Sequence, residues 1–68
     1  MKVDDVMPGD WVRLTFREHH VGYLVGSLAI IEDIFSIYGI DSVRVLVTTG
    51  PGCGQRVNVT LEDISELS

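Results

Sequence analysis

The sequence predicts a small all-β domain of five strands, with one short helical turn before the last. Three observations carry this expectation. Residues 7–16 pass from a Pro8-Gly9-Asp10 turn into alternating side chains. Val43, Val45 and Val47 alternate with Arg44, Leu46 and Thr48, the cleanest half-buried strand pattern in the chain. Gly50-Pro51-Gly52-Cys53-Gly54 then separates that run from a second one carrying Val57 and Val59, which is how a hairpin reads.

The elements follow in order. Residues 1–6 are a lead-in whose Val3 and Val6 can pack on one end of the domain. Proline sets φ, glycine permits positive φ and aspartate bonds nearby backbone, so Pro8-Gly9-Asp10 forms a turn. The first strand covers residues 10–17, with Val12, Leu14 and Phe16 on one face and Trp11, Arg13, Thr15 and Arg17 on the other. Residues 18–22 make a polar connection.

The second strand is expected over residues 23–35. Its Leu24, Val25, Leu28, Ala29, Ile30 and Ile31 cover both faces. That suits a strand that bends, or one whose outer face a partner covers. Gly26 marks a bend or bulge. A helix over residues 27–38 is the rival reading. The β-branched and aromatic residues around 30–38 weaken it.

A turn over residues 36–41 contains Gly39. The third strand spans residues 42–49 and the fourth residues 55–60, with Arg56, Asn58 and Thr60 outward. Thr60 occupies an N-cap position with Asp63 three residues on, so residues 60–64 read as one helical turn. Leu61 and Ile64 point the same way from it. Residues 65–68 close the domain as a short strand with Leu67 inward.

Sixty-eight residues make a single domain, residues 1–68. A chain this short buries roughly 60% of its unfolded surface, so its core is small. Apolar residues are 46% of the chain, enough to leave some at the surface for self-association or a partner. Cys53 is the single cysteine. No internal disulfide is possible, which suits a reducing cytoplasm. The N-terminus is too acidic and too short of apolar residues for a signal peptide. The apolar stretch at residues 21–31 is far too short to span a membrane. A net charge of −5 opposes non-specific nucleic-acid binding, which runs on phosphate neutralisation.

Met7-Pro8-Gly9-Asp10-Trp11-Val12 at one end and Leu61-Glu62-Asp63-Ile64 at the other resemble the opening and closing motifs of small bacterial SH3-like and KOW-like β-barrels, many of them phage- or mobile-element-associated. The resemblance covers nearly the whole chain in the order of its elements. It implies a five-stranded SH3-like barrel with one short helical turn before the last strand. The chain lacks the basic loop of KOW domains and the paired tyrosines of peptide-binding SH3 domains, so neither ligand class is carried over.

Two surfaces stand out as candidates. The over-hydrophobic second strand, with Tyr23, Leu24, Leu28, Ile30 and Tyr38, is the expected protein-binding or self-association surface. The alternative is a patch of Trp11, Arg13, Arg17, Arg44 and Arg56, outward by period two, for nucleic acid or an acidic partner. Glu18-His19-His20 with a distant Cys53 lacks the spacing of a zinc site. Gly50–Gly54 lacks the Gly-Lys-Ser/Thr ending of a phosphate loop. No nucleophile and base fall together, so the expectation is a non-enzymatic interaction module without metal or cofactor.

Overall fold

The computed structural model describes residues 6–16 and 22–67. Five strands are present: β1 (Trp11–Leu14), β2 (Leu28–Ile37), β3 (Ile40–Val47), β4 (Arg56–Thr60) and β5 (Ile64–Glu66). They form one antiparallel sheet in the order β4-β3-β2-β1-β5. Among the described residues no ladder joins β4 to β5, so these two strands are its edges. Two one-turn 3-10 helices, Gly22–Leu24 and Leu61–Asp63, lie between strands. No helix among the described residues is long and apolar enough to cross a membrane.

The Pro8-Gly9 turn forms as its residues dictate. Asp10 N–H donates to the Met7 carbonyl at 3.0 Å, and Gly9 takes φ 97°, the position where a type II turn requires glycine. The Asp10 carboxylate accepts from Met7 N–H at 2.9 Å. The turn is stitched to β2, because Gly9 N–H donates to the Ile31 carbonyl and Ile31 N–H to that of Asp10.

β1 ends at Leu14, three residues before the expected end. Phe16 takes φ 45°, which no extended strand tolerates. Thr15 and Phe16 instead donate both N–H groups to the Asp63 carbonyl, at 2.8 and 3.1 Å. Phe16 is nevertheless buried, on the side expected of it. Arg17 lies outside the described residues.

The second strand is displaced along the chain. Tyr23 and Leu24 belong to a 3-10 helix, and β2 begins at Leu28. Ser27 N–H donates to the Leu24 carbonyl, and Gly26, at φ 84°, donates to that of Leu14. Glycine therefore turns the chain before the strand rather than bending it within. Residues 28–37 are strand, and the helical reading falls. The irregularity sits at Glu32: Ile31 faces Val45 and Asp33 faces Arg44, leaving Glu32 as a bulge. The extra residue resets the parity, so Ala29, Ile31 and Ile34 all lie opposite inward valines (Val47, Val45 and Val43).

The expected turn over residues 36–41 is tighter. β2 and β3 pair to Ile37 and Ile40, leaving Tyr38-Gly39 as a two-residue turn. Tyr38 has φ 50° and Gly39 φ 78°, the signature of type I′, whose twist matches the strands. β3 begins two residues earlier and ends two earlier than expected. At the C-terminus, β5 pairs with β1 through Val12–Glu66, Arg13–Ser65 and Leu14–Ile64. Ile64 and Leu61 are buried as expected, whereas Leu67 is 40% exposed. It stands one step past Glu66, the partner of inward Val12, and so turns outward.

The core is Val6, Val12, Leu14, Phe16, Leu24, Ala29, Ile31, Val43, Val45, Val47, Val59, Leu61 and Ile64. Asp63 is buried beside it and accepts the Thr60 hydroxyl at 3.1 Å.

Leu14 is fully buried, so Leu14→Ala should cost about 2–5 kcal/mol by chemical denaturation, enough to unfold most of so small a domain. A cost under ~1 kcal/mol would mean that Leu14 is not core. Tyr38 is 98% exposed and stands where asparagine or glycine relieves strain. Tyr38→Asn should therefore raise stability by about 1 kcal/mol, and a destabilised variant would contradict the turn type.

Candidate interaction face on the outer side of the sheet

The ladders decide which outward side chains meet. Trp11 pairs with Ile30, Ile30 with Leu46, and Leu46 with Arg56. One row of side chains thus crosses four strands on the face opposite the core. One step past Glu66, Leu67 extends it beside Trp11, and the two line a common groove. The complete row is Leu67, Trp11, Ile30, Leu46 and Arg56. At strand spacing it is roughly 19 Å long. Trp11 is half exposed, and Ile30 and Leu46 are partly so.

Flanking rows supply polar groups. On one side Arg13 stands between Leu28 and Ser65. On the other, Asp33 faces Arg44 and Arg44 faces Asn58. The Arg44 Nε donates to Asn58 Oδ1 at 3.4 Å, a long contact. The bulge aims Glu32 across β3, where Arg56 Nε meets its Oε1 at 2.9 Å. Both partners reach solvent, so this pair contributes little to stability, at most about 1 kcal/mol. Its effect is to hold the Arg56 guanidinium at the end of the apolar row.

The two surfaces expected from the sequence therefore merge in part. Leu28 and Ile30, from the apolar candidate, share a face with Trp11, Arg13, Arg44 and Arg56, from the cationic one. Three of the apolar set belong elsewhere. Leu24 is a core residue at 1% exposure, because the 3-10 helix turns it inward. Tyr23 packs over the β3–β4 loop and its hydroxyl donates to Gln55 Oε1 at 3.0 Å. Tyr38 is at the hairpin tip, roughly 25 Å along β2 from Ile30. Leu46 and Leu67 were missed. Leu46 was visible as the outward apolar residue of the third strand. Leu67 was hidden by the expectation that it points inward.

The groove at the Trp11 end is lined by Val6, Asp10, Trp11, Val12, Glu66 and Leu67, with a volume of about 290 Å³. A second open cleft, about 330 Å³, is lined by Phe16, Ile37, Ser42, Asn58, Val59, Thr60 and Asp63. Among its described lining residues Asp63 is the one titratable group. Among the described residues no three His, Cys, Asp or Glu side chains are grouped to hold a metal. Glu18, His19 and His20 lie outside those residues. Cys53 is exposed, and its thiol donates to the Thr48 carbonyl at 3.3 Å.

The β3–β4 loop holds this face in register. Leu28 N–H donates to Thr49 Oγ1, and Thr48 donates through both N–H and hydroxyl to the Leu28 carbonyl. Gly52 is buried under Leu24 and Tyr23, and a Cβ there would collide with Leu24 Cδ2. Leu24 is enclosed by core and has little room to yield. Comparison with protein-family models, with curated proteins and with solved structures gave no match.

Gly52→Ala should cost about 1–3 kcal/mol through overpacking and should release Tyr23 from Gln55. Thermal unfolding with tyrosine fluorescence reads both. A variant as stable as the parent would show that Leu24 moves aside freely.

Proposed function

We propose that this chain is a small SH3-like barrel acting as a non-enzymatic protein-interaction module, with the outer sheet face as its contact surface. The strand order β4-β3-β2-β1-β5 and the 3-10 turn before β5 support the barrel reading. Five strands along the chain with a 3-10 turn before the last are the order of elements that the resemblance to small bacterial SH3-like and KOW-like proteins implies. The single cysteine fits a cytoplasmic setting.

One observation carries the functional reading: the apolar row of Leu67, Trp11, Ile30 and Leu46 crosses the solvent face of the sheet. An outward sheet face in a domain of this kind ordinarily alternates to polar residues. Here the apolar row is rimmed by arginines and carboxylates, the composition of an interface with an apolar centre and a polar rim. Trp and Arg are also the residue types that dominate interface energetics.

Nucleic-acid binding is the competing use of the same face, because Arg13, Arg44 and Arg56 share it with Trp11. Two features weigh against it. Glu32 holds Arg56, and Asp33 faces Arg44, so phosphates would meet carboxylates as well as guanidinium groups. The chain as a whole carries −5.

The face is tested by replacing its centre. The parent chain should associate with a protein, another copy included, and Trp11→Asp should abolish that association while circular dichroism stays unchanged. If Trp11→Asp leaves every such association intact, the face is not the contact surface. Salt-sensitive binding of single- or double-stranded DNA that Arg13→Ala weakens would favour the nucleic-acid reading.

A further inference from the structure

We infer that the free edge of β4 is a docking site for an extended segment of another protein, which adds to the sheet beside β4 and seats an apolar side chain against Phe16. The site is separate from the apolar row and goes beyond the function proposed for that row.

The hydrogen-bond pattern of the ladder defines the edge. Val47 N–H donates to the Gln55 carbonyl, and the Val47 carbonyl accepts from Gly54 N–H. Antiparallel ladders alternate bonded and non-bonded pairs. Val45–Val57 and Val43–Val59 are therefore the next bonded pairs between β3 and β4. Arg56, Asn58 and Thr60 fall between them. Their N–H groups, with the carbonyls of Arg56 and Asn58, point away from β3. Among the described residues no strand takes these groups up, because β4 ends the sheet. Arg56 and Asn58 are exposed. Donors and acceptors repeating every second residue along an edge are matched by another extended backbone.

This edge lacks the usual protection. Proteins blunt an edge strand with proline, lysine, a bulge or extreme shortness. β4 has five residues, with neither proline nor lysine, and its register with β3 is unbroken. Its one charged side chain, Arg56, is drawn across the sheet face to Glu32. The opposite edge, β5, has only three residues and ends at Glu66. β4 is the edge with room for a strand.

The cleft of about 330 Å³ supplies the side-chain pocket. Asn58, Val59 and Thr60 all line it, together with Phe16 and Ile37. Successive strand residues point to opposite faces, so a cleft that touches all three lies at the margin of β4 rather than on either face. A strand laid along β4 runs into it. An apolar side chain there covers Phe16, Val59 and Ile37, the last of which is 45% exposed. A second copy fits less well. Paired antiparallel through Asn58, it would bring its own Arg56 and Gln55 to this cleft and leave the apolar walls uncovered. Two chains of net charge −5 also repel each other.

The probe is a library of peptides about ten residues long, in which Val, Ile, Leu or Phe alternates with polar residues, passed over the immobilised full chain. Retained peptides should bind saturably. Hydrogen exchange read by NMR should find the Val57 and Val59 amides slow in the free chain and those of Arg56, Asn58 and Thr60 fast. The peptide should slow the Asn58 and Thr60 amides about tenfold or more. Asn58→Pro removes the central donor at a position where an edge strand tolerates proline, and should weaken binding about tenfold or more. If that variant fails to fold, the peptide carries the test: one of its two alternately N-methylated forms should lose binding to the unaltered chain. Trp11→Asp should leave binding unchanged. No retained peptide, retained peptides that leave the Asn58 and Thr60 amides fast, or equal binding by both N-methylated forms overturns the inference. So does slow exchange at Asn58 in the free chain, which would show an edge already paired. Binding lost in Trp11→Asp and kept in Asn58→Pro would move the peptide to the outer face, where the proposed function stands and the edge site falls. A dimer of the chain alone that Asn58→Pro dissolves would make the occupant a second copy and overturn the choice of a foreign segment.

Discussion

The pairing of β2 with β3 is the constraint on which the rest of the structure depends. β2 is the central strand, and both its faces are apolar. A continuous ladder would place Ile31 inward and Ile34 outward. The extra residue at Glu32 changes the parity between them, so Ala29, Ile31 and Ile34 all oppose the valines of β3. The same extra residue throws the Glu32 carboxylate sideways to Arg56. One local irregularity thus completes the core on one face and organises the polar end of the row on the other. A slip of one residue here would exchange the two faces of the strand.

The two ends of the chain are joined by a different device. The Asp63 carbonyl accepts from Thr15 and Phe16, its carboxylate takes the Thr60 hydroxyl, and Leu61 and Ile64 flank it in the core. The 3-10 turn therefore carries the chain from β4 across to β1 and seats β5 on the far edge. That crossing is what sets Leu67 beside Trp11. The length of the outer row is in this sense a consequence of how the last ten residues cross the core.

Stability and exposure pull against each other in this domain. A short chain has little interior, and the conversion of surface into core stops once the inward faces of the strands are filled. Trp11, Leu28, Ile30, Leu46 and Leu67 remain outside for that reason. Trp11, Ile30, Leu46 and Leu67 share one row and Leu28 stands in the row beside it, whereas Ile37, Tyr38 and Ile40 are exposed at the far end of the β2–β3 hairpin. Tyr38 stands at a hairpin tip, beside the exposed pair Ile37 and Ile40, in a backbone conformation that favours glycine or asparagine. Nothing in the fold accounts for a tyrosine there.

The existence and type of the strands were legible in local pattern, since alternation in β3 and β4 and the Pro8-Gly9-Asp10 turn act through nearest neighbours. So were the inward residues Val12, Leu14, Val43, Val45, Val47 and Val59, and the outward ones Trp11, Arg13, Arg44 and Arg56. The limits of the elements were not. The positive φ of Phe16 answers to Asp63, which is far along the chain, and the start of β2 answers to the Leu14 carbonyl. Neither contact leaves a mark in the neighbouring residues. The apolar run at residues 28–31 announced a strand with two uses but not where its parity changes, because a bulge is chosen by the partner strand. Which outward residues stand together was decided by register alone. The sequence by itself determined that Trp11, Leu46 and Arg56 face away from the core, through the two-residue period of a strand. Their alignment in one row was decided only by the tertiary structure, because register is a relation between strands and belongs to no segment of the chain.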